Sequence, residues 1–354
     1  MLPAHCDRSP IYVQQVAVRS AGVAGHPLGV PYAADMPDGP ESPSEPGDTK
    51  SLAGNRTLSG RFVMGGSYPA VLSLAFAIFA VLMAAGVHVT LASYAAVLTG
   101  AALVTLHELK LPYRSEWRPS PDDVRTDVSF MLAIQVALPL LLSFLAVIAI
   151  ANVLKDAGIA IDGLWPHDQP IAVQAALMLV LADLLRYWLH RAFHKFESMW
   201  RFHAVHHSPH RLYWVNVGRF HPIEKSVQYC ADALPFVLVG VGGEALAAYF
   251  VFYAVNGFYQ HSNCDVRLGP LNHLVSGPEL HRWHHSMIPA ESDNNFGNNL
   301  IVWDTLFGTR YLPSRRKVGP LGLINQDYPL GFMTQMRTPF VAGLDKAKAA
   351  EQNR

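Results

Sequence analysis

Residues 189–208 read LHRAFHKFESMWRFHAVHHS, and residues 279–286, ELHRWHHS, echo their second half, with His281, His284 and His285 repeating the spacing of His203, His206 and His207. With His190 and His194 they give the patterns HxxxH, HxxHH and HxxHH. On a helix, residues three and four apart share one face, so each pattern can aim two or three imidazoles at a common point. A lone histidine is more often a satisfied polar residue beside a core than a ligand. The set reads differently: eight neutral imidazoles turned inward would each need a hydrogen-bond partner, whereas two divalent ions would use them all.

A chain of 354 residues has room for two soluble domains, but 51% hydrophobic residues, 15% charged residues and a mean hydropathy of +0.17 indicate a membrane protein instead. The formal net charge is zero, which suggests no nucleic-acid partner. Cys6, Cys230 and Cys264 match no CxxC or zinc-ribbon spacing. They read as inert thiols of a reducing compartment and cannot ligate an iron-sulfur cluster unaided.

Residues 1–66 are rich in Pro, Gly, Ser and Asp without an apolar period, and are expected to be a disordered or loosely packed extension. They lack the apolar core of a signal peptide, and a start at Met64 would remove almost all of them. From Tyr68 to His107 runs a stretch of about 40 nearly uncharged residues, twice the roughly 20 needed to cross a bilayer. A break near Gly86, His88 and Thr90 makes it two helices in a tight hairpin. Val128–Leu154 is a third span, and Ile171 to about Leu189 a fourth that runs straight into His190. Lys and Arg gather in the 110–125 loop and in 186–225, which by the positive-inside rule places the histidines on the cytoplasmic side. The apolar stretch Ser226–Phe258 must begin and end on that side. At about 33 residues it is short for two crossings, so it is expected to form a shallow hairpin turning at Gly242, Gly243 and Glu244. The sequence GVGGEA in this stretch matches GxGxxA, but no strand precedes it and no βαβ frame surrounds it. The expected fold is an all-α integral membrane protein of about four transmembrane helices plus the shallow hairpin, with a cytosolic helical cap holding a histidine-rich dimetal site. The catalytic domain is expected over 67–330, followed by a tail over 331–354 that frays after about Gly343.

Asp183, Tyr187, His190 and His194 fall at spacings of four, three and four, one stripe down the end of the fourth helix. Asp183 is costly in lipid, so it should face the bundle interior, where it would orient a ligand, line a substrate path or simply tie helices together. His221, His261 and His273 each stand alone, and His261 ranks first because it emerges from the hairpin much as His190 emerges from the fourth helix. All-imidazole ligation suits iron, copper or zinc. Between the histidines lie Arg191, Ala192 and Phe193, then Ala204 and Val205, then Arg282 and Trp283, with no general base, so hydrolysis of the HExxH kind is disfavoured. Two irons with open positions can activate dioxygen, the chemistry an unactivated C–H bond requires.

The segments ADLLRYWLHRAFH, WRFHAVHHS, RFHPIE, YQHSN, PELHRWHHS and DNNFGNNLIVWDTLFGT resemble the fatty acid hydroxylase and sterol desaturase superfamily of integral membrane di-iron oxygenases, over roughly residues 68–330. The first pattern has three intervening residues where some members have four, and His273 is not part of the family pattern. The resemblance implies that His190, His194, His203, His206, His207, His281, His284 and His285 bind two iron ions, joined by His261, where the family carries a further histidine. It also implies dioxygen as co-substrate and hydroxylation or desaturation of a fatty acyl, sterol-like or related lipid. Asp183, Tyr187, His221, Glu224 and Asn295 are expected to support the ligands or line the substrate path, and Asn295, Gly297 and Asp304 to shape a loop covering the site. The chain carries no flavin, haem-attachment or iron-sulfur motif, so the resemblance requires a separate electron donor, a ferredoxin or a small cytochrome with a reductase. Arg191, Lys195, Arg201 and Arg211 would dock an acidic carrier or serve only topology and headgroup contact. A membrane metal-binding or transport protein without redox turnover is the alternative reading of the same clusters, and a membrane zinc hydrolase a third.

Overall fold

The computed structural model describes residues 58–157, 164–314 and 316–345. Residues 1–57, most of the expected extension, and residues 346–354 of the tail lie outside the described residues. Among the described residues four helices are long and apolar enough to cross a membrane, Phe62–Ala84, Val89–Lys110, Pro121–Ala146 and Ile171–Lys195.

Helix α1 (Leu58–Ala84) begins ahead of the boundary expected near residue 67, and the Arg267 amide donates to the Met64 carbonyl at 2.9 Å. It turns into α2 (Val89–Lys110) at the break the sequence shows. Gly86 takes the left-handed φ of 75° that a side chain would resist, and the His88 ring caps α2 by accepting from the Thr90 amide at 3.3 Å. Helix α3 (Pro121–Phe130) starts at a reciprocal Ser120–Asp123 capping box with proline in its first turn, then passes through a π-helical stretch, Met131–Ala137, into α4 (Leu138–Ala157). Helix α5 (Ile171–Lys195) carries the first histidine pair at its end. One extended residue, Phe196, separates it from α6 (Glu197–His207).

The hairpin follows as α7 (Pro222–Asp232), α8 (Leu234–Leu238) and α9 (Gly243–His261). Its turn sits slightly earlier than expected, with Gly240 at φ 76° and Gly242 already preceding the first residue of α9. It also reaches deeper than the half-depth expectation. The 19 residues of α9 rise about 28 Å, and the tip meets the loop before α5, where a Cβ on Gly240 would lie 4.0 Å from His167 Nε2 and Trp165 packs edge-to-face on Phe236. The arms are longer than the apolar stretch because they include its polar ends, Glu224 and Lys225 on one side and Gln260 and His261 on the other, all buried by neighbouring protein.

Helix α9 is the centre of the bundle. Ala248, Val251, Val255 and Tyr259 pack in one core with Tyr68, Ala75, Ala92, Ala96 and Val104 of α1 and α2. Gly100 of α2 allows the closest approach, since a Cβ there would stand 2.8 Å from a Val255 methyl. The cap comprises α6, the 3₁₀ turn Trp214–Gly218, α10 (Pro278–His284), α11 (Pro289–Ser292), α12 (Val302–Phe307) and α13 (Phe332–Gln335). It is keyed to the spans by two carboxyl groups, one on a half-buried residue and one fully buried. Glu108, near the end of α2, accepts from the amides of Trp214 and Asn263 at 2.9 and 2.8 Å, and Asp127 of α3 takes Arg219 and the Tyr213 hydroxyl. Beyond residue 330, Gln335 is buried and donates to Ser208 Oγ at 2.8 Å.

Candidate metal centre

Two helix ends, of α5 and α9, and two short helices, α6 and α10, bring nine histidines together. The nine form two groups whose ring nitrogens lie within 4.8 Å of one another: His190, His194, His203, His207 and His284 in one, and His206, His261, His281 and His285 in the other. The division follows helix geometry. In each HxxHH pattern the first and last histidines are four apart and share a face, while the middle one is turned aside. Helix α6 thus gives His203 and His207 to the first group and His206 to the second; α10 and its following residue give His281 and His285 to the second and His284 to the first.

Fixed acceptors set the tautomers. Nδ1 of His190, His284 and His206 donates to the carbonyls of Phe296, Asn294 and Arg219 at 2.8, 2.8 and 3.2 Å. Nδ1 of His203 meets Glu224 at 2.7 Å, that of His194 meets Asp293 at 3.0 Å, and that of His261 meets the Asn216 side-chain oxygen at 2.8 Å. A carbonyl only accepts, so the proton is on Nδ1 and each Nε2 presents a bare lone pair inward. Two such lone pairs meet where Nε2 of His190 and His203 are 2.9 Å apart, and Nε2 of His284 and His261 likewise face those of His207 and His281 at 3.1 and 3.0 Å. His194 Nε2 has no hydrogen-bond partner. Facing lone pairs repel unless a cation lies between them. Burial first, then the neighbouring imidazoles, holds His203, His206, His207, His281, His284 and His285 in the neutral form, well below the usual histidine range. Protons are therefore poor candidates for that cation, and nitrogens about 2 Å from a common divalent ion would stand about 3–4 Å apart, as these closest pairs do.

The loop behind the first group is built to aim two carbonyls. Asn295 sits at φ 57°, the one described non-glycine residue with positive φ, and its side chain bonds the Leu280 and Tyr311 carbonyls and the Tyr311 amide. Asp304 accepts from the amides of Phe296 and Gly297, each at 2.7 Å. Gly297 is required by space, since a Cβ would fall 2.1 Å from the Leu300 carbonyl oxygen. Asp183 fixes the next turn by accepting from the Asn299 and Leu300 amides at 2.8 and 2.7 Å; it orients the loop and touches no histidine. The Tyr187 hydroxyl pairs with Thr309 at 2.9 Å and its ring stacks on Phe307. His221, expected near the ligands, belongs to neither group. It caps α7 by accepting from the Ile223 amide, as histidine one position before a helix can.

The residues that sequence reasoning passed over are the acceptors. Asn216 and Asp293 had no distinguishing spacing, and the carbonyls of Arg219, Asn294 and Phe296 have no residue-type signal at all. Arg186 was also missed, although a cation inside the fourth span was legible.

A cavity of about 240 Å³ runs to the histidines. Val97 and Leu98 of α2 and Met131 and Leu132 of the π-helical stretch line it together with His190, His203, His206, His261 and His281. Leu98 and Leu132 are also 65% and 60% exposed, so the lining reaches the apolar outer surface of the bundle.

A membrane helix bundle that converges nine histidines beside a cavity reaching its apolar surface defines a class of integral membrane histidine-cluster proteins. The sequence pattern of the family described as "Fatty acid hydroxylase" matches residues 175–309, spanning both groups. The ornithine lipid hydroxylase OlsE of Rhizobium tropici is 35% identical over 247 residues, 69% of this chain and 74% of that protein. An alkylglycerol monooxygenase of Xenopus tropicalis is 31% identical over 141 residues, 38% of this chain and 30% of that protein. The very-long-chain aldehyde decarbonylase GL1-8 of Oryza sativa is 29% identical over 146 residues, 41% of this chain and 54% of that protein. No solved structure matches. The chain belongs to the fatty acid hydroxylase family.

Proposed function

We propose that this protein is a membrane di-iron oxygenase that hydroxylates or desaturates an unactivated C–H position of a lipid drawn from the bilayer. The carrying observation is that members of both histidine groups line one cavity together with Leu98 and Leu132, which are exposed on the apolar outer surface. His190, His194, His203, His207 and His284 would hold one iron, and His206, His261, His281 and His285 the other. Iron there would supply reductive activation of dioxygen, the oxidising power that an unactivated C–H bond demands.

The chain's own groups do the rest. Backbone carbonyls and Glu224 hold the imidazoles in the metal-binding tautomer, which keeps ligand orientation from depending on the ion. The apolar walls admit an acyl chain and exclude water around the reacting carbon. Hydroxylation consumes one dioxygen, two electrons and two protons per product and water, so a ferredoxin or a small cytochrome with its reductase is required on the cytoplasmic side. The lipid hydroxylase activities named for the relatives support this reading. The test is incubation of membranes with reductant under ¹⁸O₂ followed by lipid mass spectrometry. Hydroxylation adds one ¹⁸O, desaturation removes two hydrogens without label, and neither change in iron-loaded membranes would overturn the proposal.

A further inference from the structure

The part of the cavity beside the histidines is not apolar. Gln135, Arg186, Gln228, Gln260 and Asn298 all border it. Each carries a buried atom without a hydrogen-bond partner: the donors Arg186 Nε, Gln260 Nε2 and Asn298 Nδ2, and the acceptors Gln135 Oε1 and Gln228 Oε1. Two amide orientations are fixed by their other contacts, because Asn298 Oδ1 accepts from Arg186 at 3.3 Å and Gln228 Nε2 donates to Glu224 at 2.8 Å. Glu224 Oε2, Arg186 Nη1 and His281 Nδ1 on the same lining lack hydrogen-bond partners as well. Native interiors leave few such atoms unpaired, and this many around one cavity mark a place where something with hydrogen-bonding capacity belongs.

We propose that these five side chains form a polar subsite for a neutral group that both donates and accepts, a secondary amide, carried by the lipid close to the carbon that reacts. The need for both roles comes from the mixed set of orphaned atoms. An ester or ether would pair neither glutamine oxygen and an ammonium none of the three donors, whereas the N–H of an amide can meet one glutamine oxygen while its carbonyl meets two of the donors. A neutral group is indicated because the Arg186 guanidinium already has the Asp232 carboxylate 3.6 Å away. The π-helical stretch gives the subsite its far wall, placing Gln135 within 3.5 Å of the Tyr253 hydroxyl opposite. The substrate is then an amide-linked lipid whose tail extends toward Leu98 and Leu132 and whose amide is read next to the histidines.

This assignment rests on the oxygenase reading for its reacting carbon, but binding tests it without turnover. Purified iron-loaded protein, kept anaerobic, is titrated with N-tetradecylacetamide and with hexadecane, and apparent dissociation constants are taken from thermal stabilisation. The amide should bind about tenfold more tightly than the alkane. Gln135→Leu and Asn298→Leu, near-isosteric and outside the metal groups, should abolish that preference while retaining alkane binding, which also reports that they fold. Equal binding of the two probes, or variants that keep the amide preference, would overturn the subsite. Amide preference without dioxygen-dependent product would sink the oxygenase reading and leave the subsite standing.

Discussion

Glu224 and His221 lie three residues apart in RFHPIE, and the structure gives them different work. Glu224 is fully buried and takes the His203 proton at 2.7 Å, so it sets the ring that presents Nε2 to the first group. Glu224→Gln keeps the shape but exchanges the carboxyl for a weaker amide acceptor, and should weaken iron binding about 10–100-fold, measured by chelator competition. His221→Ala removes a helix cap and the ring's packing on Phe202 and Phe340, and should cost about 1–3 kcal/mol in thermal unfolding with iron content unchanged. Iron loss from the His221 variant would mean that it touches the centre.

The loop after α11 and the hairpin carry the predictions at the scale of elements. Gly297→Ala puts a methyl into the Leu300 carbonyl, and the resulting shift should cost about 1–3 kcal/mol and displace the Phe296 carbonyl from His190. Thermal unfolding and iron occupancy should fall together; loss of stability with full occupancy would show that the loop does not position the ring. For the hairpin, single cysteines at Gly243 and Asp168, with Cys6, Cys230 and Cys264 replaced, should react with an impermeant thiol reagent from the same face of the membrane. An unreactive Gly243 beside a reactive Asp168 would restore the shallow hairpin. The four long helices were legible because about 20 uncharged residues leave few alternatives to a span. The hairpin's depth was not, because its arms end in Glu224, Lys225 and Gln260, polar residues that look like solvent boundaries until protein is seen to bury them. Histidine spacing named eight members of the two groups and the place of His261 after the hairpin, with the family resemblance, the ninth, yet the assignment of His206 and His284 to opposite groups depends on how α6 and α10 face each other, which no local pattern records.

Across the molecule, the nine histidines couple folding to protonation. In the unfolded chain they titrate near about pH 6.5, whereas burial keeps the cap histidines neutral in the folded protein to well below that. Below about pH 6.5 the unfolded state therefore binds more protons, so the stability is fully present above that pH and is lost as pH falls toward the depressed folded values. The metal-free protein should lose thermal stability steeply between about pH 7 and 5, and iron should displace that loss toward acid, with activity falling below about pH 6. A midpoint temperature flat across that range would contradict buried neutral imidazoles.

The central claim is that two separate histidine groups each hold an iron ion. Its most direct test is the iron-to-chain ratio of the protein purified from iron-replete cells, for the wild type, His284→Ala and His285→Ala. About two irons are expected in the wild type and about one in each variant, because each removes a ligand from a different group. One iron or fewer in the wild type, or two retained in both variants, would contradict it.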